Sequence, residues 1–79
     1  MTPELATLAH LLGVTEDFIT HCRERMADQQ VAIEALKATG QDTAEAERLR
    51  AVFGDVEQRF ADYKRTLENE IAAIRGKAR

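Results

Sequence analysis

Hydrophobic side chains along this chain recur in alternating steps of three and four residues, the spacing that aligns them on one face of an α-helix. A first run comprises Ile19, Cys22, Met26, Gln29, Ile33 and Leu36. A second run comprises Ala46, Leu49, Phe53, Val56, Phe60, Tyr63, Leu67, Glu70 and Ile74, with Ile71 widening it near its end. The same steps are typical of a coiled-coil seam. The pattern predicts an all-α fold built on long amphipathic helices.

The start of the chain predicts a short N-terminal helix over about residues 3–12. Thr2 is a suitable N-cap, and Pro3 suits the first helical position because its φ is fixed. Gly13 can adopt the left-handed conformation that ends a helix. Thr15 is then expected to cap the next helix.

Two longer helices are expected over about residues 15–39 and 42–75. The earlier one ends at Gly40. Asp42, followed three residues later by Glu45, forms a capping-box-like start for the later one. Because so short a link reverses the chain, the two helices are expected to lie antiparallel as a hairpin.

Two glycines inside the helical pattern have separate expected roles. Gly13 allows a bend through which the N-terminal helix covers the far end of the last helix. The residues available for that cover are Leu5, Leu8, Leu11 and Leu12. Gly54 interrupts the last helix at a cost of roughly 1 kcal/mol relative to Ala, which indicates that a neighbouring backbone or ring lies close to it.

Length and composition favour one small helical domain, residues 1–79, that needs a partner. Of its 79 residues, 44% are hydrophobic and 32% charged. A core of this size rarely leaves more than ~3–5 kcal/mol of net stability. Two helices that pack along one seam leave apolar residues on either side of it exposed to solvent. A second copy of the chain is the simplest way to bury them, so we expect a homodimeric four-helix bundle. The predicted interaction seam consists of Phe18, Ile19, Cys22, Met26, Gln29, Ile33, Leu36, Leu49, Val52, Phe53, Val56, Phe60, Tyr63, Leu67, Ile71 and Ile74.

The net charge and the cysteine content limit which partners and which cell compartment we expect. The formal net charge is −3, so no overall field draws the chain to nucleic acid or to an anionic membrane. Cys22 is the single cysteine, which fits a reducing compartment, although two subunits could bridge through it. No signal-like start and no membrane-length apolar stretch is present in the sequence. A soluble cytoplasmic protein is expected.

Residues 5–24 leave an alternative function open, because helix, Gly-Val-Thr and second helix follow one another as in a helix-turn-helix DNA reader. The chain would then be a DNA-associated transcriptional regulator. The start of the recognition helix carries Glu16, Asp17 and Thr20, whereas base edges and phosphates are read by Arg, Lys, Asn or Gln. Nucleic acid is therefore the disfavoured partner.

The polar residues predict neither catalysis nor a cofactor. His10, His21 and Cys22 are the candidate metal ligands, but the chain has no CxxC or HxxxH spacing to bring such ligands together. Gln29 and Glu70, the polar members of the two runs, are expected either to fix register or to reach solvent. We expect a non-enzymatic structural or protein–protein interaction module, such as a small adaptor or regulator, that binds no metal or cofactor.

Residues 29–53, QQVAIEALKATGQDTAEAERLRAVF, resemble a recurrent pattern in short bacterial proteins of unassigned function. The positions that match are Gln29, Ile33, Leu36, Gly40, Asp42, Thr43, Ala46, Leu49 and Phe53. The resemblance covers about a third of the chain. It implies a helical hairpin and no catalytic residue.

Overall fold

Two antiparallel helices of nearly equal length form the fold. The computed structural model describes residues 2–77, in which α1 spans Pro3–Ala38 and α2 spans Ala44–Lys77. The helices lie side by side in a rod of 62 × 15 × 13 Å. The predicted all-α helical hairpin is confirmed.

The N-terminal cap of α1 is the one that the sequence predicts, but the break at Gly13 is not there. Thr2 Oγ1 accepts a hydrogen bond from the N–H of Leu5 at 3.1 Å, and Pro3 opens the helix. From there α1 continues without interruption to Ala38. The prediction of a separate N-terminal helix over residues 3–12 is therefore wrong.

The phase of the apolar pattern explains why α1 continues through Gly13. Leu5, Leu8, Leu12 and Thr15 lead to Ile19 in the same alternating steps of three and four that follow it, so a straight helix keeps them all on one face. Gly13 lies on the exposed side, with nothing within 4 Å of the position a Cβ would take. A helical glycine there costs only about 1 kcal/mol relative to Ala.

Thr15 is a buried residue of the helix interior and not the N-cap that was predicted. Its side chain faces α2 with 3% of the residue exposed. The hydroxyl donates to the carbonyl of Leu11, one turn earlier, at 2.7 Å. This bond satisfies the buried hydroxyl without a partner from α2.

The link between the helices is a tight turn built on Gly40. Gly40 has a φ of +71°, and the N–H of Gln41 donates to the carbonyl of Leu36 at 2.9 Å, as in a Schellman C-cap. The Asp42 carboxylate then accepts from the N–H of Ala44 at 3.0 Å. The chain reverses where the sequence predicts it.

The start of α2 corrects one detail of the expected capping box. α2 begins at Ala44, two residues after the predicted start at Asp42. Glu45 pairs with Arg48, one turn further into the helix. The carboxylate of Asp42 therefore caps the helix, while that of Glu45 makes a surface ion pair.

Contacts between the helices define a simple register. Arg23 bonds to Glu57, and Met26 lies beside Gly54, so residue n of α1 is level with about residue 80 − n of α2. The neighbour at Gly54 is the Met26 methyl group, 3.5 Å from the position of an added Cβ, and not the backbone or ring that the sequence predicts. The residues buried along the helix contact are Thr15, Ile19, Cys22, Ile33, Ala46, Leu67 and Ile71.

The buried stripe of α2 drifts from the predicted one in its second half. Tyr63 and Glu70 are exposed, whereas the residues that follow them, Lys64 and Ile71, are half-buried and buried. An α-helix has 3.6 residues per turn, so a strict seven-residue repeat rotates by about 20° per heptad around a straight helix. Over two heptads the rotation reaches about 40°, which carries positions 63 and 70 off the contact and brings positions 64 and 71 onto it.

Candidate functional site

Phe18 of α1 and Phe60 of α2 form the aromatic contact between the helices. Their ring centroids are 5.2 Å apart and the ring planes deviate by 8° from parallel. Phe60 is half-buried, but 48% of Phe18 remains exposed. The hairpin therefore covers only part of this stack.

Further apolar side chains extend the stack along one side of the rod. Val14 precedes Phe18 by one helical turn, and Tyr63 follows Phe60 by one turn. Val52 precedes Phe60 by two turns. The exposed fractions are 37% for Val14, 45% for Val52 and 44% for Tyr63. We call Val14, Phe18, Val52, Phe60 and Tyr63 the aromatic face.

A hollow of about 420 Å³ lies on the α1 half of this face. It is lined by Val14, Asp17, Phe18 and His21, which are positions i, i+3, i+4 and i+7 of one helix. Four residues with this spacing form the hole into which a side chain of a neighbouring helix packs in helical bundles. The aromatic face thus has the relief of a helix-packing surface.

The opposite side of the hairpin is charged. Arg23 Nε donates to Glu57 Oε1 at 2.7 Å across the two helices. Glu16 and Lys64 line a groove on the same side together with Arg23. We call Glu16, Arg23, Glu57 and Lys64 the charged face. The two faces give the rod a polar side and an apolar side.

The residues of the predicted interaction seam divide by burial. Those buried between the two helices are Ile19, Cys22, Ile33, Leu67 and Ile71. Those half-buried are Met26, Gln29, Leu36, Leu49, Phe53, Val56, Phe60 and Ile74. Phe18, Val52 and Tyr63 are exposed on the aromatic face. Val14 was missed, although its spacing of four residues from Phe18 was a usable signal.

The residues considered for other chemistry lie apart from one another or inside the helix contact. His10 and His21 are exposed, and the Cys22 thiol is buried against α2, so a disulfide between two copies would require the hairpin to open. Within residues 2–77, no group of three or more His, Cys, Asp or Glu side chains is arranged to hold a metal ion. In the same part of the chain, neither helix has an apolar stretch long enough to cross a membrane.

The proposed helix-turn-helix segment also requires correction. Residues 5–24 lie entirely within α1. A DNA reader of that class needs a turn that sets its second helix at an angle to its first. The straight path through Gly13 removes that turn.

One ion pair near the loop end of the hairpin shifts the pKa of both of its members. The hydrogen bond from Arg48, and secondarily its charge, lowers the pKa of Glu45 below its usual value. The same pair raises the pKa of Arg48. Both groups are on the surface of the first turns of α2, so this is a helix-start ion pair.

Comparison of the chain with models of protein families, with curated proteins and with solved structures gave no match. The function of the protein must therefore be inferred from its own surfaces. The aromatic face holds four of the five large apolar side chains that the described part of the hairpin leaves exposed.

Proposed function

We propose that the protein is a non-enzymatic protein-interaction module that works as a homodimer, with the aromatic faces of two hairpins packed together as a four-helix bundle. The function is that of a small adaptor or regulator. The observation that carries the proposal is that four of the five exposed large apolar side chains in the described part of the chain lie on the aromatic face, whereas the fifth, Val31, lies elsewhere on α1. Phe18, Val52 and Tyr63 share one face of the rod, and the ion pair of Arg23 with Glu57 lies on the other.

The accessible surface of the hairpin supports a partner of standard size. The chain exposes 5771 Å². A compact monomer of 8.9 kDa exposes about 4,800 Å² by the usual scaling of surface with mass. The excess of roughly 1,000 Å² is close to the ~800 Å² that each partner buries in a stable protein interface.

The thin core supports the same proposal. Among residues 2–77, the most deeply buried large side chain is Leu67, at 2% exposure. The radius of gyration of 18.0 Å exceeds the ~12 Å of a compact domain of this length. An isolated two-helix layer gains little from hydrophobic burial, and pairing through the aromatic face adds a second layer.

The free, buried thiol of Cys22 is compatible with a reducing compartment, and we include the cytoplasm in the proposal on that ground. Two subunits do not need a disulfide in this arrangement. Their contact is made by Phe18, Phe60 and their apolar neighbours.

Sedimentation equilibrium at micromolar concentration tests the dimer. The wild-type chain is expected at twice its mass of 8.9 kDa. Phe18→Ser is expected to shift the equilibrium to the monomer, with helical circular dichroism retained. Val31→Ser is the matched control, because Val31 is 67% exposed but is rotated roughly 140° from Phe18 around α1 at ~100° per residue. A wild-type protein that sediments as a monomer would overturn the proposal.

A further inference from the structure

We infer that the two hairpins of the dimer stack with their loops at the same end, so that α1 of each copy lies over α2 of the other. The inference rests on the proposed homodimer and specifies the orientation of its second copy. The alternative stacking places the loops at opposite ends, with α1 over α1 and α2 over α2. The groups that come level with Phe18 and with Arg59 distinguish these two stackings.

The position of the aromatic face makes both stackings sterically reasonable. The face runs from Val14 to the level of Val52, which corresponds to about residue 28 of α1 in the register set by Arg23 and Glu57. Its midpoint is near His21, which is close to the middle of α1. Either two-fold stacking therefore superimposes the two faces over their length, and the choice depends on which residues come level with one another.

With the loops at the same end, each residue of α1 faces the residue of α2 in the second copy that lies at the same height along the rod. Arg25, two turns after Phe18, then comes level with Asp55 of the second copy, and the symmetry makes this pair twice. Phe18 comes level with Tyr63 of the second copy, which favours an aromatic contact. Opposite charges meet at the edge of the interface, and rings meet at its centre.

With the loops at opposite ends, like groups meet at the two-fold axis. Arg59 is level with His21, at the midpoint of the face. The reversed stacking therefore sets Arg59 against Arg59 and His21 against His21. It also brings Arg25 level with Asp17 of the second copy, so an ion pair of Arg25 is available in both stackings, but Phe18 then comes level with Glu24 and not with a ring. Juxtaposed guanidinium groups oppose association.

Arg25 is already held beside the aromatic face in the hairpin. Its guanidinium forms an ion pair with Asp28, with 3.0 Å between Nη2 and Oδ2, and 45% of its side chain is exposed. A guanidinium has five N–H donors, so the group can bind Asp55 of a second copy while it retains Asp28. The pairing thus needs no rearrangement of α1.

Spin labels in the loop measure the orientation directly. The variant Cys22→Ala removes the native thiol, and Gln41→Cys places one nitroxide label in the exposed loop. Because neighbouring helices of a bundle are about 10 Å apart, loops at the same end put the two labels within roughly 25 Å by double electron–electron resonance. Loops at opposite ends separate the labels by about the full 62 Å length of the rod.

The outcomes separate this inference from the dimer itself. A short distance supports the same-end stacking. A distance near the length of the rod overturns it and leaves the dimer in place. The absence of any dipolar modulation from a labelled protein that sediments as a monomer overturns both.

A charge exchange gives an independent readout. Asp55→Arg is expected to raise the dimer dissociation constant by about tenfold or more, and adding Arg25→Asp is expected to recover most of that loss. Glu24→Arg, an exposed change on the outer side of α1, is the matched control and should leave the constant unchanged. A double variant as weak as Asp55→Arg alone would overturn the stacking.

Discussion

Arg23 on α1 donates a 2.7 Å hydrogen bond to Glu57 on α2, and this ion pair links two residues 34 positions apart in the chain. The Arg23 side chain is 69% exposed and that of Glu57 21%. The pair marks the register of the hairpin on the charged face. Its exposure implies that it contributes more to alignment than to stability.

A double-mutant cycle on this pair is expected to give a coupling energy of about 0.2–1 kcal/mol. Arg23→Ala, Glu57→Ala and the double variant are compared by urea unfolding at one protein concentration. Raising the salt concentration should reduce the coupling further, because exposed charges are screened. A coupling that is large and insensitive to salt would show that the pair is shielded from water.

Replacing Gly13 with alanine is expected to stabilise the protein by about 0.5–1 kcal/mol, because alanine is the better helix former and the added Cβ meets nothing within 4 Å. Thermal unfolding should show a melting temperature that is several degrees higher, at about 4–8 °C per kcal/mol for a chain of this size. Gly40→Ala is the opposing control. Its φ of +71° is unfavourable for alanine, so this variant should lose about 1 kcal/mol.

The two glycine variants together test the continuity of α1. If Gly13 ended a helix in the left-handed conformation, its alanine variant would be destabilised like that of Gly40. Opposite signs for the two variants are the result expected from the hairpin. Equal losses of stability in the two variants would instead support a helix break after residue 12.

Much of the hairpin could be predicted from local signals, and the main error, the helix break at Gly13, has a local cause. Thr2 and Gly40 have the side chain and the backbone freedom that their capping positions require, so they marked the true ends of α1. Gly13 and Thr15 have the same residue types but lie in the helix interior. The apolar pattern distinguishes a capping position from an interior one, because it keeps the same helical phase from Leu5 to Ile19. Burial of that face against α2 outweighs the local stop signal at Gly13.

The aromatic face could be predicted only in part, because it depends on the rotation of one helix against the other. The pattern placed Phe18, Val52 and Tyr63 in the interaction seam, but it did not separate them from the residues that the hairpin itself buries, such as Ile71. It placed Tyr63 on the line of contact with α1, whereas the drift of α2 turns this ring toward the aromatic face. The 3.6-residue period predicts the drift itself, but only the contact between the two helices fixes which positions of α2 meet α1.

Thr15→Val is expected to leave stability unchanged or to raise it by up to about 1 kcal/mol. The hydroxyl is buried against α2 and bonds only within α1, to the carbonyl of Leu11. That carbonyl keeps its normal helical bond, and valine fills the same volume with a methyl group, so no polar group is left unsatisfied. Thr15→Ser, which retains the hydroxyl but removes the methyl, should lose stability on the scale of one methyl group, about 1 kcal/mol. Urea unfolding compares the two, and a large loss for the valine variant would show that the hydroxyl has a further role.

The ion pair at the start of α2 predicts a pH-dependent contribution. Arg48 lowers the pKa of Glu45 in the folded chain, so the folded state favours the charged carboxylate. A lowered folded pKa gives a stabilisation that is present above the ordinary pKa of glutamate and is lost as the pH falls through the folded value. Glu45→Gln should therefore melt below the wild type at pH 7, and the difference should disappear in acid. A difference in melting temperature that does not change with pH would show that it arises from packing and not from the charge of Glu45.

Modification of Cys22 is expected to report opening of the hairpin and, through it, self-association. The thiol is 5% exposed between α1 and α2, so an aromatic disulfide reagent can reach it only when the helices separate. If dimerisation stabilises the hairpin, the modification rate of the wild type should fall as protein concentration rises, by mass action. Phe18→Ser should react faster and at a rate independent of concentration, whereas Val31→Ser should follow the wild type. Modification of the native protein as fast as in denaturant would contradict the burial of Cys22, and a wild-type rate that does not change with concentration would contradict the link between pairing and stability.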